Sequence, residues 1–177
     1  MWSFHEEGFS NHQSGFFNVF SWLCQSSSCV GFENSVKNLN IKIYDLNKNE
    51  HVGGTAINVG NPHVIFFVDN NENFDIKKIG PEIEKHNFFP EKCNVTLATV
   101  INHGLIKVKV WERGAGLTKA CGTAACATAF AAKQNGLTNN KVDIEFSTGK
   151  LSISIDQNNS IHMKGPVSDI KNIEIKI

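Results

Sequence analysis

The sequence predicts an α+β fold, with strands forming a barrel-like sheet around a central buried helix at about Thr123 to Gln134. Three observations carry this reading. Ala124-Ala125-Cys126-Ala127 with Ala129, Phe130, Ala131 and Ala132 is almost entirely small or apolar, and a helix with no polar face is normally buried on all sides. The stretch closes on Asn135-Gly136, a good C-terminal stop. Short stretches with strand patterning lie before and after it, and small helical side chains let such strands approach the helix backbone closely.

Local pattern orders the elements. Ile41, Ile43 and Leu46 mark a strand, and the run from Val64 to Val68 a more fully buried one. A turn follows at Asp69-Asn70-Asn71-Glu72-Asn73. Asp75 caps a helix from roughly Ile76 to His86, whose first half Pro81 makes irregular. Asn94 to Val100 and Leu105 to Trp111 are strands joined across Asn102-His103-Gly104. Beyond the central helix come Val142 to Phe146, Leu151 to Ile155, Ile161 to Lys164 and a last strand near Ile170 to Ile177, with no repeat of solenoid period.

The first 36 residues contain no Lys or Arg, and all 17 basic residues follow. This compositional boundary divides the chain into a leader over 1–35 and a domain over 36–177. Within the leader, Phe16 to Leu23 is a short strand or helix, and Gln25 to Cys29 is loop.

A chain of 177 residues can bury a sizeable core. Lys+Arg and Asp+Glu both total 17, so neither nucleic acid nor a membrane surface is an expected partner, which leaves a small molecule or a protein. The longest apolar runs fall far short of the roughly 20 residues of a bilayer helix. The opening Met1-Trp2-Ser3-Phe4-His5-Glu6-Glu7 has neither a basic region nor a continuous apolar one, so a cytoplasmic protein is expected. The five cysteines, Cys24, Cys29, Cys93, Cys121 and Cys126, are odd in number and scattered. They fit neither a disulfide framework nor a zinc site, so no metal is expected.

Chemistry concentrates between Trp111 and Cys126. Cys121 stands at the mouth of the buried helix, where unpaired N–H groups and about half a positive charge stabilise an anion. A thiol there is expected to fall from about 8.5 toward neutrality. Taken from this stretch alone, Cys121 is either a base or nucleophile or a small core residue in a tight turn. Gly122 leaves room for a ligand at the backbone, and Thr123 caps the helix or offers its hydroxyl to a carboxylate. Arg113 is the only arginine beside 16 lysines, which points to a bidentate grip on a carboxylate or to an ordinary ion pair. Glu112 is suited to an ammonium group or is a solvated strand-end acid. Gly60-Asn61-Pro62-His63 forms a rigid entrance to the strand at Val64, from which Asn61 and His63 project.

Together these motifs resemble diaminopimelate epimerase. Gly60-Asn61-Pro62-His63 matches that family's GNPH motif, and Asn94 in Lys92-Cys93-Asn94-Val95 its central asparagine. Glu112-Arg113-Gly114-Ala115-Gly116 with Ala120-Cys121-Gly122-Thr123 matches the signature at its second cysteine, in order and spacing. Leu117 and Ala124 depart from the family's usual glutamate and glycine. The resemblance implies a two-lobed enzyme that inverts the α-carbon of diaminopimelate without a cofactor, in lysine biosynthesis. One cysteine removes the α-proton while another delivers a proton to the opposite face. Carried over by position, Cys121 is one of this pair. Asn61, Asn94, Glu112 and Arg113 contact the substrate, Gly122 and Thr123 bind its carboxylate, and His63 lines the site.

Nothing before Asn34 resembles the family's first-cysteine motif, so the chain is expected to supply one lobe, weak or inactive without the other. A homodimer stays open. So do a catalytically silent binding lobe and a proline racemase-like isomerase; a redox role for Cys121 lacks a resolving partner.

Overall fold

The computed structural model describes residues 37–166. In chain order these form β1 (Ile41–Tyr44), β2 (Glu50–Gly53), β3 (Thr55–Asn58), β4 (Pro62–Phe67), a 3-10 turn (Asn71–Asn73), α1 (Ile76–Glu84), β5 (Asn94–Asn102) and β6 (Leu105–Glu112). Then come β7 (Gly116–Thr118), α2 (Gly122–Gln134), β8 (Lys141–Phe146), β9 (Gly149–Ile155) and β10 (Ile161–Lys164). The expected segments Phe16 to Leu23 and Ile170 to Ile177, and the 1–35 leader, lie outside the described residues. No helix among the described residues is long and apolar enough to cross a membrane.

β1 and β2 form a hairpin of their own, and the other strands make one eight-stranded sheet in the order β10-β9-β8-β6-β5-β4-β3, with β7 paired to β6. The outer edge of β6 is shared. Its last residues, Val110 to Glu112, pair with β7, whereas Leu105 to Lys107 pair with β8. The helix α2 touches β3 at one edge of the sheet and β10 at the other, so the sheet curls around it. The curl leaves β3 and β10 as the edges of the sheet among the described residues.

Strand alternation divides the core between the two faces of the sheet. On the inner face, Ile65, Ala98, Ile106, Val108 and Val110 pack against the α2 alanines with Val142, Ile144 and Ile153. On the outer face, Val64, Phe66, Val95 and Leu97 pack against Ile76, Ile79 and Ile83 of α1 and Ile41 and Ile43 of β1. Ala125, Ala127, Ala129, Ala131 and Ala132 are wholly buried, as a helix without a polar face requires.

The helix α1 begins where Asp75 was expected to cap it: the carboxylate accepts the Lys77 N–H at 3.1 Å. The irregularity expected at Pro81 does not occur, and the helix runs unbroken to Glu84. Proline removes one donor, and on this helix it falls on the half-buried side, away from the apolar stripe.

The close fit of α2 gives a first prediction. Ala129→Leu should destabilise the chain by about 2 kcal/mol, because the added methylenes meet strands with no room to retreat. An unchanged unfolding midpoint in thermal denaturation would contradict the packing described.

Candidate active site

Cys121 is the N-cap of α2, in extended backbone at φ −148°. The helix starts one residue earlier than expected, at Gly122, so Thr123 lies in its first turn and caps nothing. Its hydroxyl instead lies 3.5 Å from the Cys121 Sγ and 3.5 Å from Asn61 Nδ2.

Asn61 reaches this point from the β3–β4 turn. Gly60 adopts φ +107° there, and the Asn58 side chain accepts the Gly60 N–H at 2.8 Å. A glycine serves this position because an L side chain rarely adopts such a φ. Two residues on, His63 lies on the same strand face, wholly buried, with Nε2 3.0 Å from Asn61 Oδ1. Since Asn61 Nδ2 faces Thr123, its Oδ1 is the acceptor, and His63 is assigned as the Nε2–H tautomer. Parallel pairing of β4 and β5 sets Asn94 opposite His63. Asn94 donates to the Pro62 carbonyl at 2.9 Å and accepts the Arg113 N–H at 2.9 Å.

Asn61, His63, Asn94, Arg113, Cys121 and Thr123 thus join one network across β4, the ends of β5 and β6, and the start of α2. Glu112 comes close as well. It lies two residues past Val110 on the inner face of β6, near enough to the sulfur to act on its charge. The Arg113 guanidinium is exposed and donates from Nη1 to the Glu91 carbonyl at 2.9 Å. The ion pair considered for it is absent among the described residues. The site therefore has a closed floor of His63 and Asn94 and an open side formed by Arg113 and Thr123.

The thiol differs from expectation. Burial raises the Cys121 pKa above its ordinary value, and the nearby Glu112 carboxylate adds to the rise; the Thr123 hydroxyl and the Ala124 N–H oppose it without prevailing. The helix terminus was expected to dominate, yet in a residue only 9% exposed the sulfur loses more hydration than the first-turn amides return. At neutral pH Cys121 is a thiol. Burial pushes Cys126 up to about 11. It also raises the wholly buried Cys93, whose Sγ lies 3.7 Å from the Ile83 carbonyl.

Two groups beneath the site escaped the sequence reading. Glu84, 5% exposed, accepts the Trp111 Nε1–H at 2.8 Å and the Gly114 N–H at 3.2 Å. The available signal was a carboxylate on the buried stripe of α1, beside Ile83 and four residues after Gly80.

Comparison with known proteins places this arrangement. The family model described as diaminopimelate epimerase matches residues 55–170. The chain belongs to the diaminopimelate epimerase family. It is 71% identical over 141 residues to a diaminopimelate epimerase of Pelagibacter ubique, covering 80% of this chain and 52% of that protein. To one of Erythrobacter litoralis it is 48% identical over 114 residues, 64% of this chain and 42% of that one. The chain thus spans about half the length of the curated relatives it matches. Among solved structures, a PhzF-family phenazine biosynthesis protein of Bacillus anthracis is similar at a TM-score of 0.44 and 19% identity, covering 62% of this chain and 37% of the other.

Two predictions follow from the electrostatics of this diaminopimelate epimerase family site. Burial, then the charge of Arg113, lowers the His63 pKa from 6.5 to about 3. Between those values the unfolded ring binds a proton and the folded ring does not, so falling pH favours unfolding. Stability should drop by about 3 kcal/mol between pH 6.5 and pH 4 from this group. In denaturant titrations His63→Gln should remove that part of the slope; an unaltered slope would mean the ring is not held neutral. Glu112→Gln takes away a group that raises the thiol, so small alkylating reagents should modify Cys121 about threefold faster at pH 8. Mass spectrometry of the labelled peptide reads this, and an equal or slower rate would mean that Glu112 does not act on the sulfur.

Proposed function

We propose that this chain forms one half of a diaminopimelate epimerase site and supplies one of its two acid–base thiols. The observation that carries the reading is convergence: Cys121, Glu112, Thr123 and Asn61 meet at the N-terminus of α2, beside an exposed arginine. The first N–H groups of a helix have no intrahelical acceptor. The Ala124 amide points at the sulfur, which leaves those of Gly122 and Thr123 for a substrate carboxylate. Glu112 receives the α-ammonium group, while Asn61 and Arg113 hold polar groups of the same molecule. His63 and Asn94, buried below, fix Asn61 and the Arg113 backbone.

Inversion at a carbon needs a base on one face and an acid on the other. Cys121, protonated at neutral pH, begins as the acid. A thiolate on the opposite face takes the α-proton, the electron pair of the broken C–H bond is held as a carbanion beside the carboxylate, and the Cys121 S–H supplies a proton to the near face. The thiols then exchange roles for the reverse direction, and no cofactor enters the balance. Neither Cys93 nor Cys126 is suited to be the opposing thiol. Cys93 is enclosed on the outer face of the sheet, and Cys126 lies within α2. Among the described residues no other thiol is placed to oppose Cys121. Cys24 and Cys29, which lie outside them, follow no first-cysteine motif, and the opposing group is assigned to a first lobe of the kind the family resemblance implies.

The test is α-proton exchange of LL-diaminopimelate in D₂O. The purified chain should give little or none, and adding the separately produced N-terminal half of the Pelagibacter ubique relative should restore it. In that reconstituted form Cys121→Ala should cut the rate by about 10³-fold or more, whereas Cys126→Ala should leave most of it. Full turnover by the isolated chain would mean the second thiol lies within it, and the half-site reading would fail.

A further inference from the structure

The inner-face site is held in place from the other side of the sheet. We infer that Glu84 is a positioning residue for the Glu112–Arg113–Gly114 turn; this rests on the proposed function for the identity of the ligand, though not for the geometry.

Glu84 is a carboxylate 5% exposed at the C-terminal end of α1, with no cation in ion-pair reach among the described residues. Burying a carboxyl group is costly unless hydrogen-bond donors meet its oxygens. Here they do: Oε2 accepts the Trp111 Nε1–H at 2.8 Å, and Oε1 accepts the Gly114 N–H at 3.2 Å. These donors bracket Glu112 and Arg113. Trp111 points to the outer face, where it packs with the α1 cluster, so alternation sends Glu112 to the inner face beside Cys121. The Glu84 backbone also takes part, accepting the Cys93 N–H at 3.3 Å, next to the Asn94 whose side chain holds the Arg113 N–H.

The approach of α1 to this tryptophan is close. A Cβ at Gly80 would lie 2.4 Å from the Trp111 ring, so only glycine lets the helix come near enough for Glu84 to reach over it. A bidentate acceptor, a clamped indole and a turn held at Arg113 and Gly114 amount to a lock on the two charged side chains that face the ligand.

Glu84→Gln tests this, because it preserves shape and burial yet can accept from only one of the two donors. In the 177-residue chain, NMR hydrogen exchange at the Gly114 amide and the Trp111 indole should speed up at least tenfold. Amides in the middle of α2 should stay at wild-type rates, which a general loss of stability would not permit. Binding of meso-diaminopimelate by titration should weaken about tenfold, whereas Ile83→Val, a core change on the same helix turn, should leave affinity unchanged. Trp111→Phe, which removes one donor and keeps an aromatic ring, though a smaller one, should also speed Gly114 exchange, and it serves if Glu84→Gln does not fold.

Wild-type exchange at Gly114 in the folded variants would overturn the assignment, as would an affinity for diaminopimelate equal to that of the wild-type chain. If the wild-type chain binds no diaminopimelate, the proposed function fails in this chain, and the exchange data alone decide the role of Glu84.

Discussion

The structure depends on the burial of one nearly featureless helix. α2 offers no polar face, so its stability comes from strands that cover it on several sides at once. Alanine makes this geometrically possible: each buried methyl group keeps the strand backbone close, and the sheet must curl to maintain contact from β3 to β10. A curled sheet brings the ends of β4, β5 and β6 toward the helix N-terminus. Asn61, Asn94 and Glu112 come from distant parts of the sequence and gather there because the strands that carry them enclose the same helix.

What gathers there is an electrostatic contest with a definite winner. A helix N-terminus favours a thiolate, but its partial charge acts on a sulfur that has lost most of its water and faces Glu112. The balance leaves the free site holding a proton. That suits the proton-donating role proposed for Cys121, and it makes the protonation state sensitive to what enters. An ammonium group paired with Glu112 would relieve the repulsion that raises the thiol, so the state of Cys121 is set jointly by the fold and by its ligand.

The sequence made the helix, most strands and the members of the site legible, for separable physical reasons. The α2 helix was readable because composition alone settles its burial, and Asn135 ends it as expected, with its N–H on the Ala131 carbonyl. The site was readable because its residues lie in short, tightly spaced motifs whose backbone demands, such as the positive φ at Gly60, are local. β2, β3 and β7 were not anticipated, being three or four residues long and defined by partners rather than by pattern. The thiol was misjudged because burial is a property of the assembled sheet, whereas the helix dipole is visible in the chain. Glu84 and Trp111 are 27 residues apart, and no periodicity reveals that a helix on one face of a sheet will grip a turn serving the other.

That separation of faces explains how the candidate site can be both rigid and open. Side chains that meet a ligand must keep free hydrogen-bonding capacity, so they cannot hold themselves in place. Here each is fixed through a neighbour set deeper in the fold: Asn61 through the buried His63, Arg113 through its own backbone N–H on Asn94, and Glu112 through flanking residues bound to Glu84. Exposed Thr123 and Arg113 then border the opening without having to support it. Pre-organisation of this kind matters most for proton transfer at carbon, where the acid and the base act on opposite faces and a displacement of about 1 Å in either costs rate steeply. The two-sided core meets such a demand by leaving the inner face to the helix and the outer face to its supports.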